Sequence, residues 1–111
     1  MTQGNVRIRF GPRALTDIER LESYLLESQD ELHGALMEFL FAAMSVLRLQ
    51  PGVGRPVLAG LYRELIVERG HSGYLVRYHY ARDTRDVSIL RIRHQRECGY
   101  SEADIEDEFD F

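Results

Sequence analysis

Between Leu61 and Arg96 the chain reads LYRELIVERGHSGYLVRYHYARDTRDVSILRIRHQR, and no other stretch limits the possible folds so tightly. Tyr62 to Val67 alternates with the two-residue period of a strand, whose side chains point to opposite faces. Gly70 to Gly73 supplies a tight turn. In Tyr74 to Tyr80 one face carries Tyr74, Val76, Tyr78 and Tyr80, and the other carries Leu75, Arg77 and His79. Arg82 to Asp86 turns again, and Val87 to His94 forms a third strand. Ile89 is opposite in phase to Leu90 and Ile92, so this strand is apolar on both faces, which suits a central, covered position. Such a meander needs apolar cover, and the residues before Leu61 must provide it.

Val6, Ile8 and Phe10 alternate with Arg7 and Arg9 as in a further half-buried strand, which Gly11-Pro12 ends. Ala14, Ile18, Leu21 and Leu25 then recur at i, i+4, i+7 and i+11. This predicts an amphipathic helix from Pro12 or Arg13 to about Ser28, with Asp17, Glu19, Glu22 and Glu27 on its wet side. After a short turn at Gln29 to Glu31, a second helix is predicted from about Glu31 to Leu49, ending before Pro51-Gly52. Its core stripe is Leu32, Leu36, Phe39, Ala43 and Val46. Pro51-Gly52-Val53-Gly54-Arg55-Pro56 reads as a rigid connection into the sheet, and without Gly-Lys-Ser/Thr it is no phosphate-cradling loop. The expected fold is α+β in the order β-α-α-β-β-β. An N-terminal strand and an antiparallel two-helix hairpin pack on a mainly antiparallel four-stranded sheet, the first strand lying beside the last. Residues 1–100 form the one domain, and residues 101–111, SEADIEDEFDF, a short acidic tail that begins as a helix capped by Ser101.

The chain of 111 residues has room for one modest core. No apolar run approaches the ~20 residues of a membrane span, and the N-terminus has no apolar segment of the signal-peptide kind. The single cysteine, Cys98, excludes an internal disulfide, so a cytoplasmic setting is expected. His33, His71, His79 and His94 lack metal-ligand spacing, so neither a metal nor a cofactor is expected. No Ser-His-Asp or Cys-His arrangement stands out, and His94, at a strand end, reads as structural.

The net charge of −4 hides a segregation: residues 51–100 hold nine arginines against five acids, and residues 101–111 hold six acids and no base. Arg63, Arg77, Arg91, Arg93 and Arg96, with His79 and Tyr100, make a basic strand face, the one constellation with functional content. It suits RNA phosphates or the acidic segment of a protein partner, and equally a solvated face paired with Glu64, Glu68 and Asp86. Nucleic-acid binders are normally basic overall, so direct nucleic-acid binding is not expected. On the second helix, Met37, Phe41 and Met44 widen the apolar surface beyond what docking on one sheet requires. That surplus is either covered by the first helix or offered to a partner.

The ordered set VRIRF, Ala14/Asp17/Ile18, Pro51…Gly54-Arg55, Tyr62-Arg63-Glu64-Leu65, Gly73-Tyr74…Arg77-Tyr78 and Val87 to Glu97 (VSILRIRHQRE) resembles the RelE/ParE superfamily of bacterial toxins, and most of all its ParE branch of plasmid stabilisation proteins. The resemblance covers roughly residues 6–100. It implies the toxin of a type II toxin–antitoxin pair, held in a hetero-oligomer by a cognate ParD-like antitoxin. The antitoxin would lay apolar residues on Met37, Phe41 and Met44 and acids on Arg63, Arg77, Arg91, Arg93 and Arg96. ParE members poison DNA gyrase, whereas RelE members cut mRNA in the ribosome. A ribonuclease reading would use Arg63, Arg77, Arg96 and Tyr100. Against it, Leu75 stands where a catalytic arginine is expected after the Gly-Tyr turn, and the lysines are missing. The resemblance therefore favours gyrase as target; mRNA cleavage, or a member without toxicity, is the alternative. The acidic tail departs from the family pattern and is expected either to solvate the chain or to fold back over the arginines.

Overall fold

The computed structural model describes residues 6–97. The chain runs through β1 (Arg7–Phe10), α1 (Pro12–Glu27), α2 (Leu36–Ala43), α3 (Val46–Leu49), β2 (Arg55–Val57), β3 (Tyr62–Arg69), β4 (Ser72–Ala81) and β5 (Asp86–His94). The strands form one sheet in the order β1-β5-β4-β3-β2; β1 runs parallel to β5 and every other pair is antiparallel. The α+β class, the meander and the first strand beside the last are as predicted. The sheet has five strands rather than four, because Arg55–Val57, its first two residues expected in the connection, pairs with β3. The acidic tail, its capped helix and Tyr100 lie outside the described residues.

Helix α1 starts where proline is tolerated, since the first helical N–H groups have no partner within the helix, and Gly11 caps it in extended conformation. Its stripe of Ala14, Ile18, Leu21 and Leu25 is buried. With Leu36, Leu40 and Leu47 it packs on Val76, Tyr78, Ile89 and Ile92 of the sheet. Burying each such Leu or Ile contributes ~1.5–3 kcal/mol. Asp17, expected on the wet side of this helix, is 2% exposed.

The second helix is not continuous from Glu31 to Leu49. Asp30 accepts the Leu32 N–H at 2.8 Å, and Gly34 takes φ +89°. The chain is thereby held in turns up to Ala35. Glu22 of α1 then accepts the N–H groups of Gly34 at 2.8 Å and Leu36 at 3.1 Å, capping α2 from a neighbouring helix. Met44 and Ser45 form a turn before α3. Met44 is fully buried there, so it contributes to the core and not to a partner surface. Met37 and Phe41 remain 37% and 42% exposed.

Two tertiary devices complete the sheet. Tyr78 Oη accepts the Gly54 N–H at 2.9 Å and donates to the Pro51 carbonyl at 2.7 Å. This clamps the 51–54 loop onto β4 and carries the chain into β2. A Cβ at Gly54 would lie 2.6 Å from that hydroxyl oxygen, so only glycine fits. At the other edge, β1 pairs with β5 only from Asp86 to Ile89. Beyond it, Asp17 Oδ2 accepts the Ile92 N–H at 2.8 Å and Arg20 Nη2 donates to the Ile92 carbonyl at 3.2 Å. Two helix side chains thus occupy the edge that a longer β1 would have covered.

Candidate functional site

Strand register decides which of the basic residues share a face. Glu64 lies opposite Arg77, Ile66 opposite Leu75, Arg77 opposite Arg91 and Leu75 opposite Arg93. These side chains stand on the face away from the helices. Arg63 lies opposite Tyr78, whose ring is in the helix-covered core, so Arg63 is on the other face. There it donates to the Gly54 carbonyl at 2.7 Å. Arg96 follows the end of β5, and its N–H donates to His94 Nδ1 at 3.1 Å. The expected single basic face therefore divides: Arg77, Arg91 and Arg93 stay together, while Arg63 and Arg96 each line a different cleft. For Arg63 the cause is parity, since one residue along a strand reverses the side; Arg96 lies in the turn past the end of β5.

Of the three arginines that remain together, Arg77 and Arg91 are anchored by buried acids and Arg93 by a main-chain carbonyl. Glu64, 5% exposed, receives Arg77 Nη2 at 3.1 Å and Arg55 Nη2 at 2.9 Å. Asp17 receives Arg91 through Nε at 2.9 Å and Nη2 at 3.1 Å, besides Arg20 from its own helix. Arg93 Nη1 donates to the Glu97 carbonyl at 3.0 Å. Carboxylates with two guanidinium partners hold these forks in fixed positions, giving a patterned surface rather than mobile cations. Periodicity could not have found the Asp17 link. It places that residue on the flank of the apolar stripe, at i+3 from Ala14 and i−4 from Leu21, and the partner is 74 residues away.

Two clefts flank this surface. One, of about 420 Å³, is lined by Tyr62, Arg63, Tyr78, His79, Tyr80 and Arg82 among others. The second, of about 440 Å³, lies between the C-terminal part of α1 and the sheet, with Asp30, Arg69, Ser72, Tyr74, His94 and Arg96 in its wall. Here Arg69 pairs with Asp30, and the guanidinium holds the carboxyl of Asp30 down to about 2. Burial, aided by the charge of Arg96, pushes the His94 imidazole below its ordinary value. Its Nδ1 accepts the Arg96 N–H and its Nε2 lies 3.3 Å from Ser72 Oγ. The ring meets Tyr74 edge-on at 5.3 Å. With both nitrogens engaged, His94 is built into the strand end, as its position implied. Burial likewise raises the Tyr74 and Tyr78 hydroxyls above their usual range. Among the described residues no three His, Cys, Asp or Glu side chains gather as metal ligands. No described helix is long and apolar enough to cross a membrane.

On the helix side, Phe41 leans on Phe10 with ring centroids 6.4 Å apart, and the Arg48 guanidinium sits 5.5 Å from its ring centre. With Met37 one turn before it, this leaves a half-exposed apolar ridge on α2.

Known proteins place this arrangement. The family described as "ParE toxin of type II toxin-antitoxin system, parDE" matches residues 8–98. The chain belongs to the ParE toxin family. Within the RelE/ParE superfamily its fold resembles a chain in the crystal structure of the RelBE2 toxin–antitoxin complex from Mycobacterium tuberculosis. That likeness has a TM-score of 0.54 and 21% identity over 86% of this chain and 98% of that one. No curated protein matches the chain.

Proposed function

We propose that this ParE-family toxin acts by binding: it poisons DNA gyrase, blocks replication and is neutralised by a cognate ParD-like antitoxin. The observation that carries the reading is the state of the sheet arginines. Arg77 and Arg91 are fixed on the buried carboxylates of Glu64 and Asp17, and Leu75 stands directly opposite Arg93 on the same face. A fixed, partly neutralised pattern favours recognition of a complementary surface; stabilising a scissile phosphate calls for cationic groups aimed at the phosphate itself. The dispersal of Arg63 and Arg96 away from Arg77 supports the same view, since three of the four residues a ribonuclease would use do not converge.

The antitoxin is proposed to use both faces. An amphipathic segment would seat on Met37 and Phe41, and an acidic segment on the arginine face. In the test, purified protein is incubated with gyrase and supercoiled plasmid. Accumulation of cleaved gyrase–DNA complexes is the expected result, and cleavage of mRNA on translating ribosomes with supercoiling untouched would overturn it. The antitoxin for binding assays is sought as the product of a short reading frame beside this gene, and a gene without such a neighbour would favour an orphan toxin. Phe41→Asp should weaken that complex by roughly tenfold or more, given ~2 kcal/mol for a desolvated aromatic anchor. Equal affinity would remove α2 from the interface.

A further inference from the structure

Three apolar side chains are buried without belonging to the core that the helices cover. Tyr62, Leu75 and Leu90 are 2%, 8% and 6% exposed, yet none joins the cluster built around α1 and α2. Tyr62 and Leu75 alternate with core-facing Arg63 and Val76, and Leu90 is the residue of β5 left over where the pairing with β4 shifts. The face they occupy also carries Arg7, Arg9, Arg55, Arg77, Arg91 and Arg93. Against these stand Glu64, Glu68, Asp86 and, from the edge, Asp17. Ile66, opposite Leu75 on the same face, is 50% exposed, so this helix-free face, with surplus positive charge around an uncovered apolar side chain, fits a cover that is both acidic and partly apolar.

The chain leaves the described residues at the β5 edge, between this face and α1. Glu97 gives its main-chain carbonyl to Arg93, while its carboxylate turns toward Arg20 and the His94 N–H. Fourteen residues follow Glu97, with six acids and the apolar Ile105, Phe109 and Phe111 among them. Extended, they reach ~46 Å at ~3.3 Å each, against ~14 Å from β5 to β2 at ~4.8 Å per strand spacing. We infer that the acidic C-terminal segment, residues 101–111, docks in cis on the helix-free arginine face, adding its carboxylates to those around Arg77, Arg91 and Arg93 and its apolar residues to the exposed Ile66. The inference does not rest on the toxin reading. If both hold, the segment competes with any acidic partner for one surface.

The test uses the full chain. Cys98→Ser with Ala103→Cys allows a nitroxide at position 103 while keeping all six tail acids, and the reduced nitroxide serves as the reference for fold. Amide signals of Ile66, Leu75 and Arg77 should lose most of their intensity at low salt, and those of Ile18 and Leu40 should not. Raising the salt should restore them, since the Debye length shrinks from ~30 Å at 0.01 M to ~3 Å at 1 M. Changing the six acids to their amides should abolish the effect. It should also let a free peptide of residues 101–111 bind at least ~10-fold tighter than to the wild-type chain, because a tethered competitor acts at millimolar effective concentration. Unchanged intensities on this face, losses on the helices, or quenching undiminished by the amide substitutions each overturn the inference. So do losses seen only when labelled chain is mixed with isotope-labelled, nitroxide-free chain, which would place the segment on a second copy.

Discussion

Replacing Asp17 with alanine removes the carboxylate that joins α1 to the open edge of β5. In the native fold this group is 2% exposed and accepts from Arg20, from Arg91 twice and from the Ile92 N–H. The substitution leaves the Arg91 side chain, itself 11% exposed, buried without that carboxylate, and takes the acceptor from a buried backbone donor. Removing one partner of a buried ion pair costs ~3–5 kcal/mol, a large part of the ~5–15 kcal/mol that holds a domain folded. At the lower sensitivity of ~4 °C per kcal/mol for a small domain, Tm falls by ~12–20 °C. Thermal unfolding followed by circular dichroism, with a urea titration for the free energy, measures it. Asp17→Asn keeps an acceptor for Ile92 and should fall between. Adding Arg91→Met to Asp17→Ala should recover much of the loss, since replacing both charges by apolar groups removes the desolvation penalty. A melting temperature within ~2 °C of wild type for Asp17→Ala, half the shift of a single kcal/mol, would refute the reasoning and leave packing of Ile18 and Leu21 to hold the edge alone.

Gly54→Ala should destabilise by ~1–3 kcal/mol through overpacking, because its Cβ would sit 2.6 Å from Tyr78 Oη; an unshifted urea midpoint would contradict the clamp. Tyr78→Phe leaves the Gly54 N–H and the Pro51 carbonyl without their partner and should cost ~1–3 kcal/mol in the same assay. For Asp30 the sign follows from a lowered folded value of about 2 against the ordinary 3.8. Its stabilisation is present above the ordinary carboxylate range and is lost as pH falls toward 2, and Asp30→Asn should flatten the stability profile there. For His94 the folded value lies below the ordinary 6.5. The folded chain then binds fewer protons there than the unfolded chain, so stability declines as pH drops below the ordinary histidine range. His94→Gln should remove that decline in pH-dependent denaturation, and a slope unchanged by the substitution would show that His94 titrates alike in both states.

Local patterning suffices for the strands of the meander, the first helix and its buried stripe. Each of these is a local period repeated over enough residues for burial to follow from spacing alone. The sequence also contained the family, through the order of its short motifs between the first strand and Glu97. Other features depended on distant partners and were decided only in three dimensions. Glu22 fixes where α2 begins, Tyr78 clamps Gly54 and so admits a fifth strand, and the turn after α2 sends Met44 inward. The candidate site shows the division most plainly. Its arginines were legible as residues, but which of them stand together depends on strand register, where one step along the chain reverses the face. Asp17 looked solvated because it is a carboxylate, although helical phase puts it on the flank of the apolar stripe, between Ala14 and Leu21. Only the meeting of that helix with the unpaired half of β5 turned a wet position into the buried anchor of Arg91.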